Sequence, residues 1–378
     1  MADLETLRNE IDEIDRQILT LFEKRMNTVK QVSSYKMAHH LPVLHKKREQ
    51  QIIESGVKQV NKENQNSARI LLETLMQLSR WSQQEQLYQT HSQVNELLKQ
   101  INSNTPLPQT PVIACQGIKG SYSWLAAKQK FPNGKIQMSQ VFSQVFDKVL
   151  SGEVDFGILP IENSNTGSVG EVYQLMREHE FYINFDIKLK IQHCLAARPE
   201  TALENVRAVY SHSQALAQCS QYINRHHFKR VAWNNTASAA QFVSSSNRPI
   251  AAICSKESAK VYGLSVLEDN IQCNNQNYTR FIVISKRLYL RPECDTIATA
   301  LTLPHSAGAL HKLLARFSFC QINLKKIESR PIGTKEFDVI FYLDFSGNIH
   351  NKETMRILND LYTELDDFTF LGNYKQDE

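Results

Sequence analysis

Three places in the sequence combine residue types that could do chemistry. In Asn274–Ser285, NNQNYTRFIVIS, the hydroxyl of Thr279 and the guanidinium of Arg280 stand directly before the apolar run Phe281–Ile284. Thr279 could donate a proton to a leaving oxygen or hydrogen-bond it. Arg280 could hold a carboxylate or close a structural salt bridge. In Pro160-Ile-Glu-Asn163, Glu162 and Asn163 follow a second apolar stretch. They could point into a ligand crevice, or Glu162 could be a capping or surface carboxylate. Near the N-terminus, Arg25 and Lys36 lie on a helical stripe that is otherwise apolar. Cations on such a seam need a partner, either an anionic ligand or a buried ion pair.

The elements that must position these groups can be read from periodicity. From Leu4 to about Lys36 there is no proline or glycine, and Leu4, Leu7, Ile11, Ile14, Ile18, Leu21, Thr28 and Val32 recur at alternating steps of three and four. That is a helix seam. A helix of this length runs about 50 Å, too long for a domain of about a hundred residues to cover alone, so it should pack on a second copy. Arg8 lies about 25 Å along the axis from Arg25, so the two cannot grip one small molecule from the same helix. After a turn at Pro42, a second helix carries Arg48 and Glu49. His39, His40 and His45 read as solvated loop residues. A third helix runs from about Ser67 to about Gln100, and its face Leu72, Leu75, Met76 leads into Ser79 and Gln83. Ser82 and Gln86 repeat the same spacing.

The polar, proline-containing stretch 102–111 reads as a linker. Residues 112–286 then alternate strands and helices, an α/β domain. Val112–Cys115 is a strand followed by Gly117–Ser123, whose glycines and serines precede a helix and favour an anion. Neither the P-loop ending nor the dinucleotide fingerprint is present, so a carboxylate is the better ligand. Val154–Leu159 is a strand with Glu162 and Asn163 at its carboxyl end, where open α/β sheets bind ligands. Ser121, Ser211, Gln218, Thr236 and Ser238 are further candidate polar contacts, whereas Cys219 reads as structural. Residues 287–296 form a short charged linker. Residues 297–378 follow the order βαββαβ, a ferredoxin-like sandwich.

Asn277-Tyr-Thr-Arg-Phe281, Gly117-Ile-Lys-Gly-Ser-Tyr-Ser123 and Pro160-Ile-Glu-Asn163 resemble, in order and spacing, the motifs of prephenate dehydratases. With the flanking segments, residues from about 4 to 375 resemble the bifunctional chorismate mutase–prephenate dehydratases, in which a mutase, a dehydratase and a regulatory ACT domain follow one another. The resemblance implies an all-helical mutase module at 1–101, a dehydratase of two lobes like those of periplasmic binding proteins at 112–286, and an ACT domain at 297–378.

In the mutase, the resemblance implies that Arg25, with Arg8 of a partner chain, holds two substrate carboxylates. Lys36 and Gln83 would bond the ether oxygen and Glu49 the ring hydroxyl, with Arg48 and Ser79 assisting. Many relatives carry Asp where this chain has His45, so one hydroxyl contact is expected to be missing. In the dehydratase, Thr279 is the first choice to assist the leaving hydroxyl. Glu162 is an alternative acid if a closed cleft raises its pKa, Asn163 lies beside it, and Arg280 is available for a carboxylate. In the ACT domain, Gly308-Ala309-Leu310 and Glu328-Ser329-Arg330-Pro331 match phenylalanine-binding motifs. The implied role is feedback by L-phenylalanine held between two chains, with a purely structural dimerisation domain as the alternative.

Bulk properties bound the rest. The chain has 378 residues, 42% of them apolar, and a net charge of +4 without a long basic run, which does not suggest nucleic-acid binding. Seven cysteines lie scattered without C-x-x-C pairs or Cys/His clusters. They read as reduced and cytoplasmic. The charged, helical start reads as lacking an export signal, and no apolar run approaches the roughly 20 residues of a membrane span. No metal or cofactor is expected. The runner-up functions are a dehydratase with an impaired mutase, or a non-catalytic sensor of small carboxylates.

Overall fold

The computed structural model describes residues 3–39, 41, 43, 45–88, 106–332 and 339–377. The third helix beyond Tyr88, the side chain of Gln86, residues 40 and 42, and the linker up to residue 105 lie outside this set. The chain divides into two compact units, Met1–Leu98 with Met355–Glu364, and Lys99–Thr354 with Leu365–Glu378.

In the first unit, α1 (Leu4–Ala38) is a single 35-residue helix, about 52 Å long. Its N-cap is Asp3, whose carboxylate accepts from the Thr6 amide at 2.8 Å. Helix α2 (Lys46–Val57) and α3 (Gln65–Tyr88) complete the described helical module. The C-terminal half of α1 meets α3, with Ser33 buried and its hydroxyl donating to the Gln83 carbonyl at 3.4 Å. The N-terminal half is different. Leu4, Leu7, Ile11, Ile14, Ile18 and Leu21 remain between 46% and 66% exposed. This is the stripe that the sequence assigns to a second copy.

In the second unit, β1 (Val112–Gln116), α4 (Tyr122–Lys130), β2 (Lys135–Ser139), α5 (Phe142–Ser151), β3 (Phe156–Asn163), the two-residue β4 (Gly167–Ser168), α6 (Gly170–Glu178) and β5 (Tyr182–Lys190) build a first lobe. The chain then crosses to a second lobe. Its elements are β6 (Cys194–Ala197), β7 (Ala208–Ser211), α7 (Ser213–Gln218), α8 (Ser220–Arg225), β8 (Lys229–Ala232), α9 (Thr236–Ser244), β9 (Ile250–Cys254), α10 (Lys256–Val261) and β10 (Ser265–Glu268). It returns as β11 (Tyr278–Ser285), which lies antiparallel between β3 and β5. The buried run Phe281–Ile284 is thus a central strand, apolar on both faces because both faces are covered.

The last segment is βαββαβ as expected. Strand β12 (Thr296–Thr302), α11 (Ala309–Phe319), β13 (Leu324–Pro331), β14 (Val339–Ser346), α12 (Lys352–Glu364) and β15 (Phe368–Tyr374) follow in that order. Its sheet does not stand alone. The order β13-β14-β12-β15-β5-β11-β3-β1-β2 is continuous, whereas the second lobe has its own sheet, β10-β6-β9-β7-β8. The seam is the pair Gly372↔Ile183. A Cβ on Gly372 would lie 2.1 Å from the Ile183 carbonyl oxygen, so only glycine lets β15 come this close. One apolar core runs across the seam, from Val172 and Ile282 to Ala298, Tyr342 and Leu371.

Candidate active sites

The crevice of the two-lobed unit is organised by Asn163, the last residue of β3. Its buried amide nitrogen donates to Asn277 Oδ1 at 2.8 Å, to the Tyr278 carbonyl at 3.1 Å and to Thr279 Oγ1 at 2.9 Å. Its Oδ1 accepts from the Asn165 and Thr166 amides and from the Thr166 hydroxyl. The amide orientation is therefore fixed by the network. Because Thr279 Oγ1 accepts from Asn163, this contact leaves the Thr279 hydroxyl proton uncommitted. Gln214, on α7 of the second lobe, donates to Thr166 Oγ1 at 3.1 Å, which brings that helix to the same rim.

Two expected members of this site lie elsewhere. The register pairs Thr279 with Asn163 and Arg280 with Glu162. Strand side chains alternate, so one pair faces the crevice and the other faces the opposite side of the sheet. Glu162 bonds Lys326 of β13 at 2.5 Å, which removes it from the leaving hydroxyl. Arg280 is fully engaged. Its Nε meets Asp186 at 2.6 Å, one terminal nitrogen meets Asp344 at 2.8 Å, and the other donates to the Tyr374 hydroxyl at 2.6 Å. The salt-bridge alternative for Arg280 is the one realised, and its carboxylate-holding role is corrected. Two serines are also committed. Ser211, fully buried, donates to the Ile253 carbonyl at 2.6 Å. Ser238 closes a capping box with Asn235 at the start of α9, leaving Thr236 half-buried at the first helical position. Ser121 is the N-cap of α4. Gln218, at the end of α7, has its side-chain oxygen 2.9 Å from Nε2 of His193. Cys219 is buried, and burial pushes its thiol up to about 12, in keeping with a structural role. A cavity of about 440 Å³ lined by Tyr122, Lys188, His193 and Lys256 includes none of Asn163, Thr279 or Gln218.

The helical module gathers a different set. Arg25 donates to Ser79 Oγ at 2.6 Å and to the Leu75 carbonyl at 3.1 Å. Lys36 donates to the Val43 carbonyl at 2.6 Å. Burial lowers the pKa of both cations, and for Lys36 the charge of Glu49 opposes that effect. Gln83 is buried. Its nitrogen donates to the Ser79 carbonyl at 3.2 Å, and its Oε1 has no hydrogen-bond partner among the described residues. Glu49 is held by Arg80, which also reaches Glu364 at 3.3 Å. Arg80 was missed in the sequence because it lies off the stripe that leads to Ser79 and Gln83. Arg48 and Arg8 are exposed. His45 is not merely a solvated loop residue: its Nδ1 accepts from the Arg48 amide at 3.2 Å and caps α2. An aspartate would do the same.

In the last segment, Gly308 opens α11 at φ +82°, a left-handed conformation suited to glycine. A cavity of about 380 Å³ is lined by Leu303, His305, Ser306, Ala309, Leu310 and Phe341, but not by Glu328, Ser329, Arg330 or Pro331. Those four lie on β13, the edge strand, where Glu328 pairs with Arg330 at 2.8 Å and Arg330 stacks over Tyr173. Within one chain the two effector motifs therefore do not share this cavity.

The architecture is that of a helical module followed by a two-lobed α/β enzyme fold. Residues 7–84 match the family of Chorismate mutase type II, and residues 113–288 match Prephenate dehydratase. A bifunctional chorismate mutase/prephenate dehydratase of Enterobacter agglomerans is 32% identical over 97% of this chain and 95% of its own. A prephenate dehydratase from Arthrobacter aurescens, solved in complex with L-Phe, has a TM-score of 0.65 at 28% identity, over 70% of this chain and 90% of its own. A protein described as a novel type of quorum-quenching acylase, GqqA, has a TM-score of 0.66 at 28% identity, over 70% and 98%. This chain belongs to the family of bifunctional chorismate mutase/prephenate dehydratases.

Proposed function

We propose that the protein catalyses two successive steps of phenylalanine biosynthesis, rearranging chorismate to prephenate and converting prephenate to phenylpyruvate, under feedback by L-phenylalanine. The modules would be 1–101, 112–286 and 297–378. The observation that carries the reading is the Asn163–Thr279 contact at the crevice, in a chain whose similarity to a bifunctional enzyme runs from end to end.

The first reaction is an internal rearrangement and needs no acid, base or covalent step. The protein need only hold a compact conformer and stabilise charge building on the ether oxygen. Arg25 and Lys36, whose described partners are neutral oxygens and sulfurs, suit a dicarboxylate. Arg8 would complete the pocket from a partner chain, and the exposed stripe of α1 supports a homodimer.

In the second reaction the ring carboxylate departs as carbon dioxide. The electrons of its C–C bond enter the ring, and the C–O bond to the ring hydroxyl breaks. That oxygen takes up a proton and leaves as water. Thr279, oriented by Asn163, would hydrogen-bond the oxygen as it gains charge. Glu162 and Arg280 have another use. Through Lys326, Asp344 and Tyr374 the C-terminal sheet holds the chain neighbours of Asn163 and Thr279. Ligand bound along β13 could displace both catalytic strands, which gives feedback a short path. Placement of the ligand between the GAL segment of one chain and the ESRP strand of another agrees with their separation within one chain.

Five of the seven cysteines are buried, which supports a reducing, cytoplasmic setting. Among the described residues no helix is long and apolar enough to cross a membrane. The decisive test supplies chorismate alone to purified protein, with and without L-phenylalanine, and follows prephenate and phenylpyruvate. Phenylpyruvate that forms and then declines with phenylalanine supports the whole reading. Conversion of prephenate but not chorismate would remove the mutase, and consumption of neither would leave a carboxylate sensor.

A further inference from the structure

Arg80 has no place in the scheme above, yet two carboxylates from distant parts of the chain converge on it. It lies on α3 between Ser79, which takes the Arg25 bond, and Gln83. One terminal nitrogen donates to Glu49 Oε2 on α2. Its Nε stands 3.3 Å from Oε1 of Glu364, the last residue of α12. Burial works to lower the pKa of Arg80, and the charges of Glu364 and Glu49 overcome it, so the net direction is up. Glu49 also lies near enough to Lys36 for its charge to oppose the lowering that burial imposes on that lysine. Helix α12 belongs by sequence to the βαββαβ segment, but Met355–Glu364 fall in the same compact unit as the helical module. Trp81, buried on α3, donates its indole N–H to Asp360 at 3.2 Å, and Arg356 donates to the Trp81 carbonyl at 3.0 Å. The end of α12 is thus fastened to α3 beside Arg80.

We propose that Arg80 is a positioning residue of the mutase: it fixes the carboxylate of Glu49 for the substrate's ring hydroxyl, and Glu364 of the C-terminal helix fixes Arg80 in turn. This rests on the reading that Glu49 accepts from that hydroxyl. An ionised carboxylate has about four acceptor positions, so Arg80 can occupy Oε2 and leave Oε1 for the substrate. A glutamate without such a partner spreads over several rotamers, and binding substrate must then order it. An arginine can grip two carboxylates at once in fixed directions, which suits a link between Glu49 and Glu364. The mutase site would then be finished by a residue from the last segment of the chain, more than 280 residues beyond Arg80.

The test is a double-mutant cycle in the full-length protein, reading kcat and KM for chorismate, with prephenate conversion and thermal unfolding measured beside them. Glu49→Ala should raise KM for chorismate by about tenfold, the range of one hydrogen bond to a charged group, with kcat changed only a few-fold. Arg80→Leu should raise KM to a similar extent, and the double variant should be no worse than Glu49→Ala alone. Arg80→Lys, which keeps the charge but not the fork, should fall between Arg80→Leu and the parent. Glu364→Gln should raise KM by about two- to threefold, an effect that vanishes in the Glu49→Ala background. Should Arg80→Leu not fold, the Glu364→Gln and Glu49→Ala pair carries the test. An unchanged KM in Arg80→Leu, even with a lowered melting temperature, or losses that multiply in the double variants, would overturn the positioning role while leaving Glu49 as a contact. An unchanged KM in Glu364→Gln would overturn the part played by the last helix. An unchanged KM in Glu49→Ala would instead remove the reading on which the proposal stands.

Discussion

Arg25 in the helical module and Arg280 in the two-lobed unit are both partly buried arginines beside candidate substrate groups, yet they do opposite jobs. The described partners of Arg25 are a hydroxyl, a carbonyl and methionine sulfurs. None of these neutralises a charge, so the site keeps a net attraction for an anion. Arg280 meets two carboxylates and a phenol, so each of its three nitrogens is engaged and its charge is matched within the protein. The lesson is that a buried cation announces a ligand only when its protein partners are neutral.

That contrast can be broken most severely at Arg280. Arg280→Leu would leave Asp186 and Asp344 without their buried counter-charge and should destabilise the fold by about 3–5 kcal/mol in urea unfolding. A stable variant with a raised KM for prephenate would make Arg280 a ligand-holder after all. Next in size, Lys36→Ala should cost the mutase ~3–4 kcal/mol, about 10²–10³ in rate. Prephenate conversion and stability should stay near their starting values. Normal mutase turnover in that variant would end the anion-site reading. Thr279→Ala should lower dehydratase kcat by about a hundredfold with little change in KM, as befits a donor used mainly when the C–O bond breaks. An unchanged kcat would shift that role away from the hydroxyl. The smallest effect is expected at Lys326→Met. Removing its bond to Glu162 should weaken phenylalanine inhibition by about fivefold with uninhibited turnover preserved. Equal inhibition in both proteins would show that feedback does not pass through this ion pair.

Much of this was legible in the sequence. The unbroken three-four spacing of α1 foretold one long helix and an apolar stripe that its own chain leaves exposed. The apolar run Phe281–Ile284 foretold a strand covered on both faces, and the order of the last elements foretold the βαββαβ sandwich. Asn163 and Thr279 were singled out because they lie where strands meet polar loops, and the structure brings them into contact. Glu162 and Arg280 were misplaced for a reason the sequence also contained: residues adjacent in a strand point to opposite faces, so neither could share the crevice with its neighbour. His45 was judged by the contact it lacks, and its capping bond to α2 went unseen.

Local chain chemistry determined the helices, the strands, the turn at Gly308 and the residue types available for binding. Which charges remain available was decided only by the tertiary structure. The partners of Arg280 and Glu162 arrive from strands between 64 and 164 residues away in the chain. His193 and Gln218, 25 residues apart in the chain, meet only when it folds. Periodicity reports on neighbours within a few turns. Ion pairing and hydrogen-bond saturation depend on distances of about 3 Å between segments that meet only when the chain is folded.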